Sequence, residues 1–190
     1  VAGDLDGDGD SDLAVSRDDQ IVEVLLAQGA GGFVKASEFS VESNDGYETG
    51  ALTAAADVDA DGDLDLLTVD RNGNGVTIIP GNGDGSFRQH TRWSSGWDVT
   101  DVAVADLDGD ERPDIATTNA RGNTLWLLFG RGEGRFRTAQ REFHPLDPID
   151  LAAGDFDGDG HQDLATVDLK RDTGQMFLGR GDGTIQSRRG

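Results

Sequence analysis

Short runs of apolar residues recur along the chain, separated by polar or glycine-rich segments. IVEVLLA from Ile21 and TLWLLFG from Thr124 each have the length and the β-branched or aromatic content of a strand. No window carries apolar residues at helical spacing over three turns. Glycine accounts for 28 of the 190 residues, about twice the usual ~7%. The pattern predicts an all-β chain.

The strand signals recur in a fixed order. A β-prone run such as LLTV from Leu66 is followed by a polar turn, a second run, a glycine-dense turn and a third strand. A fourth strand, rich in small residues such as Ala54-Ala55-Ala56, precedes the next repeat. Small side chains suit the innermost strand of a radial array, so four antiparallel strands per ~49 residues predict a propeller blade. The third strands are expected to begin at Phe33, Phe87, Phe136 and Ile185. The four consecutive blades are expected at about residues 1–46, 47–97, 98–147 and 148–190.

An aspartate-rich segment of ten residues also occurs four times. Its copies start at Asp4, Asp57, Asp106 and Asp155, which are 53, 49 and 49 residues apart. A recurrence of that period indicates a repeat architecture. The first, third, fifth and ninth positions of every copy are Asp. Four short carboxylates on so brief a segment need a cation to hold them together.

The spacing of these carboxylates is typical of a calcium loop. Calcium accepts six to eight oxygen ligands in a flexible shell, whereas magnesium prefers rigid octahedral geometry. The pattern is not that of an EF-hand, which has a bidentate Glu at its twelfth position. The twelfth residues here are Val15, Thr68, Thr117 and Thr166. The ninth Asp is therefore expected to close the ligand shell.

The remaining loop positions have separate expected roles. The seventh residue varies, which fits a ligand that binds through its backbone carbonyl. The sixth is glycine, as a sharp turn requires, except for Glu111 in the third copy, and this predicts that the third site is the weakest. Apolar second and tenth residues are expected to anchor each loop to a core. The seventh residues are Asp10, Asp63, Arg112 and His161. The anchors are Leu5, Leu13, Val58, Leu66, Leu107, Ile115, Phe156 and Leu164.

Charge and composition limit the partners. The chain has 37 acidic and 16 basic residues and a formal charge of -21, which four bound calcium ions would change to about -13. Such an acidic surface argues against nucleic acid and anionic membranes as partners. The chain has no cysteine and no apolar run long enough to insert into a membrane. Calcium loops of this kind need the free calcium found outside the cytosol, so we expect an extracellular protein, either secreted or on the cell surface.

The loops and the glycine turns together resemble the FG-GAP repeat of integrin α-subunit propellers and the related VCBS repeats of bacterial and fungal extracellular proteins. The loop pattern is D-h-D-x-D-G-x-x-D-[L/I], and the glycine turn FGRGEG from Phe129 carries the Phe-Gly pair. That pair is replaced at Leu26-Ala27 and Pro80-Gly81. The resemblance implies one structural calcium ion in the hairpin between the first and second strands of each blade. The side-chain ligands that it implies are Asp4, Asp6, Asp8, Asp12, Asp57, Asp59, Asp61, Asp65, Asp106, Asp108, Asp110, Asp114, Asp155, Asp157, Asp159 and Asp163.

The number of blades departs from the family, whose members usually close with seven or eight. The chain has four repeats, which leaves three alternatives: a fragment of a larger ring, a half-ring that pairs with a second copy, or a small closed ring. We expect an excised part of a longer protein, because the chain opens within a strand at Val1. A cut propeller exposes apolar blade faces, so self-assembly into rings or a filament stays open.

The sequence is compatible with three functions of the chain. A calcium site that closes a hairpin is structural by default, so the first is a scaffold, adhesion or protein-interaction surface. The second is a lectin-like role, in which the linker residues Trp97 and Tyr47 stack on sugars. The third is a polysaccharide lyase or hydrolase. We expect no enzyme, since His90, His144 and His161 show no convergent acid and base.

Overall fold

The structure is a computed structural model that describes residues 1–17, 21–41, 52–69, 75–137, 140–143, 147–168 and 173–189. These residues form strands, turns and bends, as the apolar pattern predicts, and contain no helix that could cross a membrane. The strands are β1 Ala2–Gly3, β2 Asp12–Ser16, β3 Ile21–Ala27, β4 Phe33–Ser40, β5 Leu52–Ala56, β6 Asp65–Val69, β7 Gly75–Ile79, β8 Thr91–Ser94, β9 Val99–Ala105, β10 Asp114–Asn119, β11 Thr124–Leu128, β12 Gln140–Phe143, β13 Pro148–Gly154, β14 Asp163–Asp168, β15 Thr173–Gly179 and β16 Ile185–Arg189.

Within the described ranges these strands form four antiparallel sheets of four strands each, and in every sheet the strands follow sequence order. The sheets fit four consecutive propeller blades, which we number 1 to 4 along the chain. The strand rich in small residues lies at one edge of its sheet, as β5, β9 and β13 show, and β9 contacts both β5 and β13. The first strands of neighbouring blades therefore converge, which confirms the predicted innermost strand.

Two of the predicted strand starts are wrong. In blades 1 and 4 the outer strand begins at Phe33 and Ile185 as expected. In blades 2 and 3, Phe87 and Phe136 form only isolated bridges to Gly81 and Gly130, and the strands begin later. In both blades the next residue, Arg88 or Arg137, lies outside the strand and turns its side chain toward aspartates of the acidic loop of its own blade.

The core lies between blades. Val22 and Val24 of blade 1 pack with Leu66 and Ile79 of blade 2, and equivalent clusters join blade 2 to blade 3 and blade 3 to blade 4. We call the face of a blade that meets the following blade its forward face, and the opposite one its backward face. Each sheet is therefore apolar on both faces. The sheets do not close into a ring through the described residues.

The prediction that apolar anchors bury both ends of every acidic loop holds for the inner blades and fails at the ends. The anchors Leu5, Val58 and Leu107 are buried, whereas the equivalent Phe156 is 47% exposed. Leu13 is half-buried, while its three counterparts are fully buried. Phe156 lies on the forward face of blade 4 and Leu13 on the backward face of blade 1, so neither has a neighbouring blade to cover it.

Candidate metal-binding loops

Each acidic segment forms the loop between the first and second strands of its blade. We call these segments loop 1 (4–13), loop 2 (57–66), loop 3 (106–115) and loop 4 (155–164). In every loop one oxygen of the first Asp accepts a hydrogen bond from the backbone N–H of the sixth residue, at 2.9–3.1 Å. One oxygen of the fifth Asp accepts from the seventh N–H, at 2.8–3.1 Å. The backbone thus wraps around these carboxylates, as short Asp side chains favour in turns.

The folded loops bring carboxylates together. Among the described residues, four groups of three Asp each offer ligand atoms within 4.8 Å of one another. The groups are Asp4, Asp6 and Asp8; Asp57, Asp59 and Asp61; Asp106, Asp108 and Asp114; and Asp155, Asp157 and Asp163. The first and third positions belong to all four groups, the fifth to two and the ninth to the other two. Each group could hold a metal ion.

The ninth Asp has a second role that sequence reasoning missed. Asp12, Asp65, Asp114 and Asp163 are each fully buried. One oxygen accepts from the N–H of the second loop residue, at 2.8–2.9 Å. The other accepts from an N–H at or just after the end of the third strand, at 2.7–2.9 Å. This carboxylate therefore ties the start of the loop to the next hairpin. Its place in the ligand shell stays a prediction.

Two of these buried carboxylates, those of Asp65 and Asp114, are difficult to ionise. Burial raises the pKa of Asp65 to about 6, against the lowering effect of its two backbone hydrogen bonds, and the charges of Asp59 and Asp61 raise it further. Burial likewise raises the pKa of Asp114 to about 6, and Asp108 and Asp110 add to the rise. Negative charge is crowded in these loops, and a cation would relieve it.

Positive φ is required at two loop positions. The sixth residues include Gly9 with φ 89° and Glu111 with φ 64°, so Glu111 has the positive φ that glycine has in the other loops. The fourth residues also have positive φ, and there loop 2 has Ala60 with φ 63° where the other loops have glycine. Sequence reasoning missed this second departure, although glycine at the fourth position of the other copies signals it.

Two arginines lie beside the carboxylates of their own blade. Arg88 Nη2 is 3.2 Å from Asp59 Oδ2 and 2.8 Å from Asp61 Oδ2. Arg137 donates to Asp108 Oδ2 and lies over the Phe129 ring, 4.0 Å from its centroid. Both arginines follow a Phe that lies two residues after the last glycine of the turn, a repeated sequence signal for this contact. Each neutralises part of the charge of its loop.

Loop 3 contains a buried carboxylate oxygen that fits a metal ligand. Asp108 Oδ2 pairs with Arg137, but Asp108 Oδ1 is buried and has no hydrogen-bond partner in the structure. A buried carboxylate oxygen without a partner is costly. It belongs to the residue that contributes to the group of Asp106, Asp108 and Asp114. A metal ion there would satisfy it, and the surrounding donors are the hard oxygens that calcium or magnesium requires.

The seventh residues direct their side chains away from the loops in two cases. Asp63 and His161 lie against the glycine turn of their own blade: a Cβ on Gly83 or Gly181 would fall within 2.3 Å of a side-chain atom of these residues. Arg112 lies 3.5 Å from Asp110 across one ion pair. This arrangement is compatible with a backbone carbonyl ligand at Asp10, Asp63, Arg112 and His161, which stays a prediction.

Loops 1, 2 and 3 also touch the glycine turn of the following blade. Gly85 N–H donates to the carbonyl of Leu5 at 2.9 Å, and Gly183 N–H donates to that of Leu107 at 3.2 Å. The third contact lies between loop 2 and the glycine turn of blade 3, where a Cβ built on Gly134 would be 3.5 Å from the Cβ of Asp59. The acidic loops are therefore part of the junctions between blades.

Of the two candidate glycan contacts, Trp97 lies among the described residues. Trp97 is 54% exposed in the linker between blades 2 and 3. The neighbouring Ser95 is fully buried, and its carbonyl accepts from Asn119 Nδ2 at 2.9 Å and Thr117 Oγ1 at 3.1 Å. These bonds fix the loop that presents the Trp97 ring. Tyr47 lies outside the described residues.

The fold and the loops define the class: a β-propeller repeat protein whose acidic hairpin loops could hold metal ions. Within that class, the chain belongs to the FG-GAP-like repeat family, whose profile matches residues 4–68, 57–117 and 106–166. The family resemblance that the loops and turns indicate is thereby confirmed. No curated protein matches the chain significantly in sequence.

Solved structures share the fold. The chain is 23% identical to an Agrocybe aegerita lectin, whose structure is described as the basis of specific recognition of non-reducing terminal N-acetylglucosamine; the TM-score is 0.64, with 98% of this chain and 50% of that chain covered. It is 14% identical to a chain of BBS1N in complex with ARL6DN, with a TM-score of 0.61 and coverage of 98% and 50%. A Photorhabdus luminescens Tc holotoxin pore gives 22% identity, a TM-score of 0.58 and coverage of 98% and 9%. The chain thus spans half the length of the first two, and these likenesses show the fold alone.

Proposed function

We propose that each acidic loop binds one calcium ion, and that the chain acts as a calcium-stabilised extracellular module that offers a scaffold, adhesion or protein-interaction surface. The observation that carries the proposal is the repeated group of three convergent carboxylates, with the buried, unpartnered Asp108 Oδ1 in one of them. The ligands would be the first, third, fifth and ninth Asp and the seventh carbonyl of each loop. When bound, the ion would supply only positive charge and coordination, without redox chemistry.

Calcium is favoured over magnesium by the kind of loop. Its carboxylates are presented by backbone turns, which adjust to the 2.3–2.6 Å bonds and irregular shell that calcium accepts. Magnesium demands near-ideal octahedral geometry and gives up its water reluctantly. The separate arrangements of the four groups, two with the fifth Asp and two with the ninth, favour an ion that tolerates variation.

A structural role follows from the position of the loops. Because Leu5 and Leu107 of two loops accept hydrogen bonds from the glycine turns of the next blades, an ion that stiffens a loop also stiffens a junction between blades. The proposed extracellular location rests on the high free calcium that such acidic loops need and on the charge of -21. The proposal assigns no catalysis to this chain.

Calorimetric titration tests the metal sites. The chain, stripped with chelator, should take up about four calcium ions, one for each group of carboxylates. The double variant Asp57→Asn/Asp61→Asn should take up one ion fewer, because loop 2 loses two of its three convergent carboxylates. The matched control is Asp84→Asn/Asp182→Asn, which removes the same charge from glycine turns where each carboxylate bonds only to its own turn.

The control keeps the stoichiometry of the parent chain if the loops are the sites. Equal losses in the two variants would show that overall charge, rather than loop 2, governs uptake. Absence of calcium uptake at millimolar concentration would contradict the proposal outright.

A second candidate function is glycan binding. It is favoured by the exposed Trp97 ring on a linker that Asn119 and Thr117 hold in place. Aromatic rings at such positions can stack on the apolar face of a sugar, and a lectin is among the proteins of similar fold. Because that lectin is described as recognising terminal N-acetylglucosamine, this sugar is the first probe to use.

Titration of N-acetylglucosamine into the calcium-loaded chain tests the second candidate. Trp97→Ala should abolish the binding heat, and Trp97→Phe should retain part of it because an aromatic face remains. The thermal stability of both variants should match that of the parent chain. Identical binding by the parent and Trp97→Ala, or no binding by the parent, would count against a glycan site at this residue.

A further inference from the structure

In loop 2 an arginine takes up the carboxylate oxygens that the backbone leaves open. Oδ1 of Asp59 and Oδ1 of Asp61 each accept a hydrogen bond from a backbone N–H, at 3.2 and 3.0 Å. Arg88 Nη2 donates to the second oxygen of both residues, at 3.2 and 2.8 Å. All four oxygens of these two candidate metal ligands are therefore engaged within the chain.

Loop 1 is the closest comparison within the chain, because it has Asp at the same five positions as loop 2. Oδ1 of Asp6 and Oδ1 of Asp8 accept backbone N–H groups in the same way, at 3.2 and 2.8 Å. Their Oδ2 atoms accept no hydrogen bond from the residues that the structure describes. The residue after Phe33 is Val34, which cannot pair with a carboxylate. The two oxygens that Arg88 occupies in loop 2 are thus available to a cation in loop 1.

Loops 3 and 4 show the same contrast. In blade 3, Arg137 donates to Asp108 Oδ2. The equivalent residue of blade 4 is Gln186, whose Oε1 accepts from Arg180 Nη2 in the glycine turn, at 2.9 Å. Asp157, the counterpart of Asp108, is exposed. Among the described residues, an arginine therefore pairs with the third Asp of loops 2 and 3 only.

These ion pairs are partly withdrawn from solvent. The side chains of Asp59 and Asp108 are only 11% and 13% exposed, so water and salt screen their arginines less than at an open surface. A metal ion that binds these carboxylates must displace the guanidinium or share the carboxylate with it. Both routes cost binding energy, because an ion pair is lost or two cations come close together.

We infer that Arg88 and Arg137 are internal counter-cations that compete with calcium for loops 2 and 3, so that loops 1 and 4 fill at lower calcium concentration. The inference rests on the metal sites of the proposed function. In the metal-free chain each arginine holds carboxylates of its loop by an ion pair. Charges of +2 and +1 about 6 Å apart repel with roughly the energy of a tenfold change in an equilibrium constant, even at the dielectric constant of water. Each arginine should therefore raise the calcium dissociation constant of its loop about tenfold.

Calorimetric titration of calcium into the chelator-stripped chain tests the competition. Arg88→Gln should lower the dissociation constant of one of the weaker sites about tenfold, and Arg137→Gln should do the same for another. The matched control is Arg121→Gln, which removes the same charge from the turn between β10 and β11, at the far end of blade 3 from loop 3. A strand of that length separates charges by about 20 Å, beyond the range of unscreened interaction at physiological salt. The control should keep the constants of the parent chain.

The reverse substitution and the metal-free state give two further readouts. Gln186→Arg places an arginine at the corresponding position of blade 4, and it should weaken one of the tighter sites about tenfold. In EDTA, Arg137→Gln should lower the midpoint of urea unfolding, because the ion pair with Asp108 is lost. Addition of calcium should then raise that midpoint more in the variant than in the parent. A merely structural role for the arginine would lower the midpoint equally in both conditions.

The outcomes separate this inference from the metal sites themselves. Calcium uptake with the same dissociation constants in the parent and both Gln variants would overturn the inference and leave the metal sites in place. No uptake by any of these chains would overturn both. Equal effects of Arg121→Gln and Arg137→Gln would show that net charge, rather than contact with the loop, sets the affinity. Circular dichroism in EDTA identifies a variant that does not fold, and Gln186→Arg then decides by itself, since unchanged affinity at every site would overturn the inference.

Discussion

The aspartates at different positions of a loop make different contacts, although all are the same residue type. The first and fifth Asp bond to backbone N–H groups within the loop, which shapes the turn. The ninth Asp bonds to N–H groups seven and fifteen or sixteen residues away, as Asp114 does with Leu107 and Gly130, and so it connects elements. The third Asp pairs with an arginine in loops 2 and 3, and in loop 2 the same arginine also contacts the fifth Asp. Only the third Asp of loop 3 leaves a buried oxygen without a partner among the described loop residues.

Glu111→Gly should stabilise the protein. Glu111 has φ 64°, a conformation that costs a residue with a Cβ about 1 kcal/mol relative to glycine. We expect the free energy of unfolding in urea, measured with chelator, to rise by about 0.5–1 kcal/mol. Ala60→Gly, at φ 63°, should show a similar gain, and Gly9→Ala, at φ 89°, should show a loss. Destabilisation by both glycine substitutions would contradict the argument.

At the scale of single residues, the sequence predicts features that recur at the same position of the repeats. Positive φ at Glu111 could be predicted because glycine fills that position in the other copies. The double hydrogen bonding of Asp114 could not, because its partner Gly130 is sixteen residues away and only the hairpin brings it near. Arg88 and Arg137 were missed because a charged residue after a turn is ordinarily solvated, and only the fold shows that they face the loop.

The hairpin is the element on which the loop depends. In each blade, a buried carboxylate links the loop before the second strand to the end of the third, so the acidic loop, the second strand and the third strand form one hydrogen-bonded unit. Asp114 of β10 exemplifies this, with bonds of 2.9 and 2.7 Å. The arrangement accounts for the constancy of the ninth Asp without reference to a metal.

Asp114→Ala should destabilise the protein even in chelator. The substitution leaves the N–H groups of Leu107 and Gly130 buried without acceptors, which should lower the free energy of unfolding by about 2–5 kcal/mol. Asp114→Asn keeps one acceptor oxygen and should lose less.

Chemical denaturation with chelator present checks this prediction, with Glu133→Ala as the control because its side chain is 85% exposed. A loss for Asp114→Ala that appears only in the presence of calcium would show that the residue acts as a ligand alone.

Strand order and the small-residue inner strands could be predicted because hydrophobic period and turn chemistry are local. The late starts of β8 and β12 could not. Phe87 and Phe136 carry the strand signal, but each forms only an isolated bridge, and the arginine that follows it pairs with an aspartate of an acidic loop. Such a contact joins residues 29 positions apart, so a local pattern does not contain it.

Across the whole molecule, the junctions between blades carry both apolar and titratable groups. Between blades 3 and 4, the N–H of Leu151 donates to Asp101 Oδ2 at 2.7 Å and to Asp150 Oδ1 at 3.0 Å. Burial raises the pKa of Asp101 to about 6, and its hydrogen bond with Asp150 raises it further against the lowering effect of backbone donors. The two carboxyl groups thus meet at the junction of two inner strands.

The raised pKa makes this junction sensitive to pH. In the unfolded chain Asp101 titrates near 3.8, so its contribution to stability is fully present below that pH and is lost as the pH rises through about 6. We expect Asp101→Asn to remove part of the decline in unfolding free energy between about pH 4 and 6, and to be more stable than the parent at pH 7. Unfolding in chelator across this range, with Glu133→Gln as the control, measures it. Superimposable pH profiles for Asp101→Asn and the parent would refute the assignment.

Four consecutive blades could be predicted from the period of the repeat, because each blade is specified by its own strands and turns. The ends could not, because burial of Phe156 or Phe33 depends on a neighbour that the local pattern does not identify. The apolar character of the blade faces follows from the sequence, whereas the packing between blades shows which of them are covered.

Thermal unfolding with and without calcium tests the central claim, that metal ions in the acidic loops hold the blades. At a free calcium concentration about ten times the dissociation constant, each site adds about 1.4 kcal/mol to the free energy of unfolding. Four such sites should raise the Tm by roughly 10 °C or more over the value in EDTA. The same concentration of magnesium should raise it much less. A Tm that is unchanged between saturating calcium and EDTA would contradict the account.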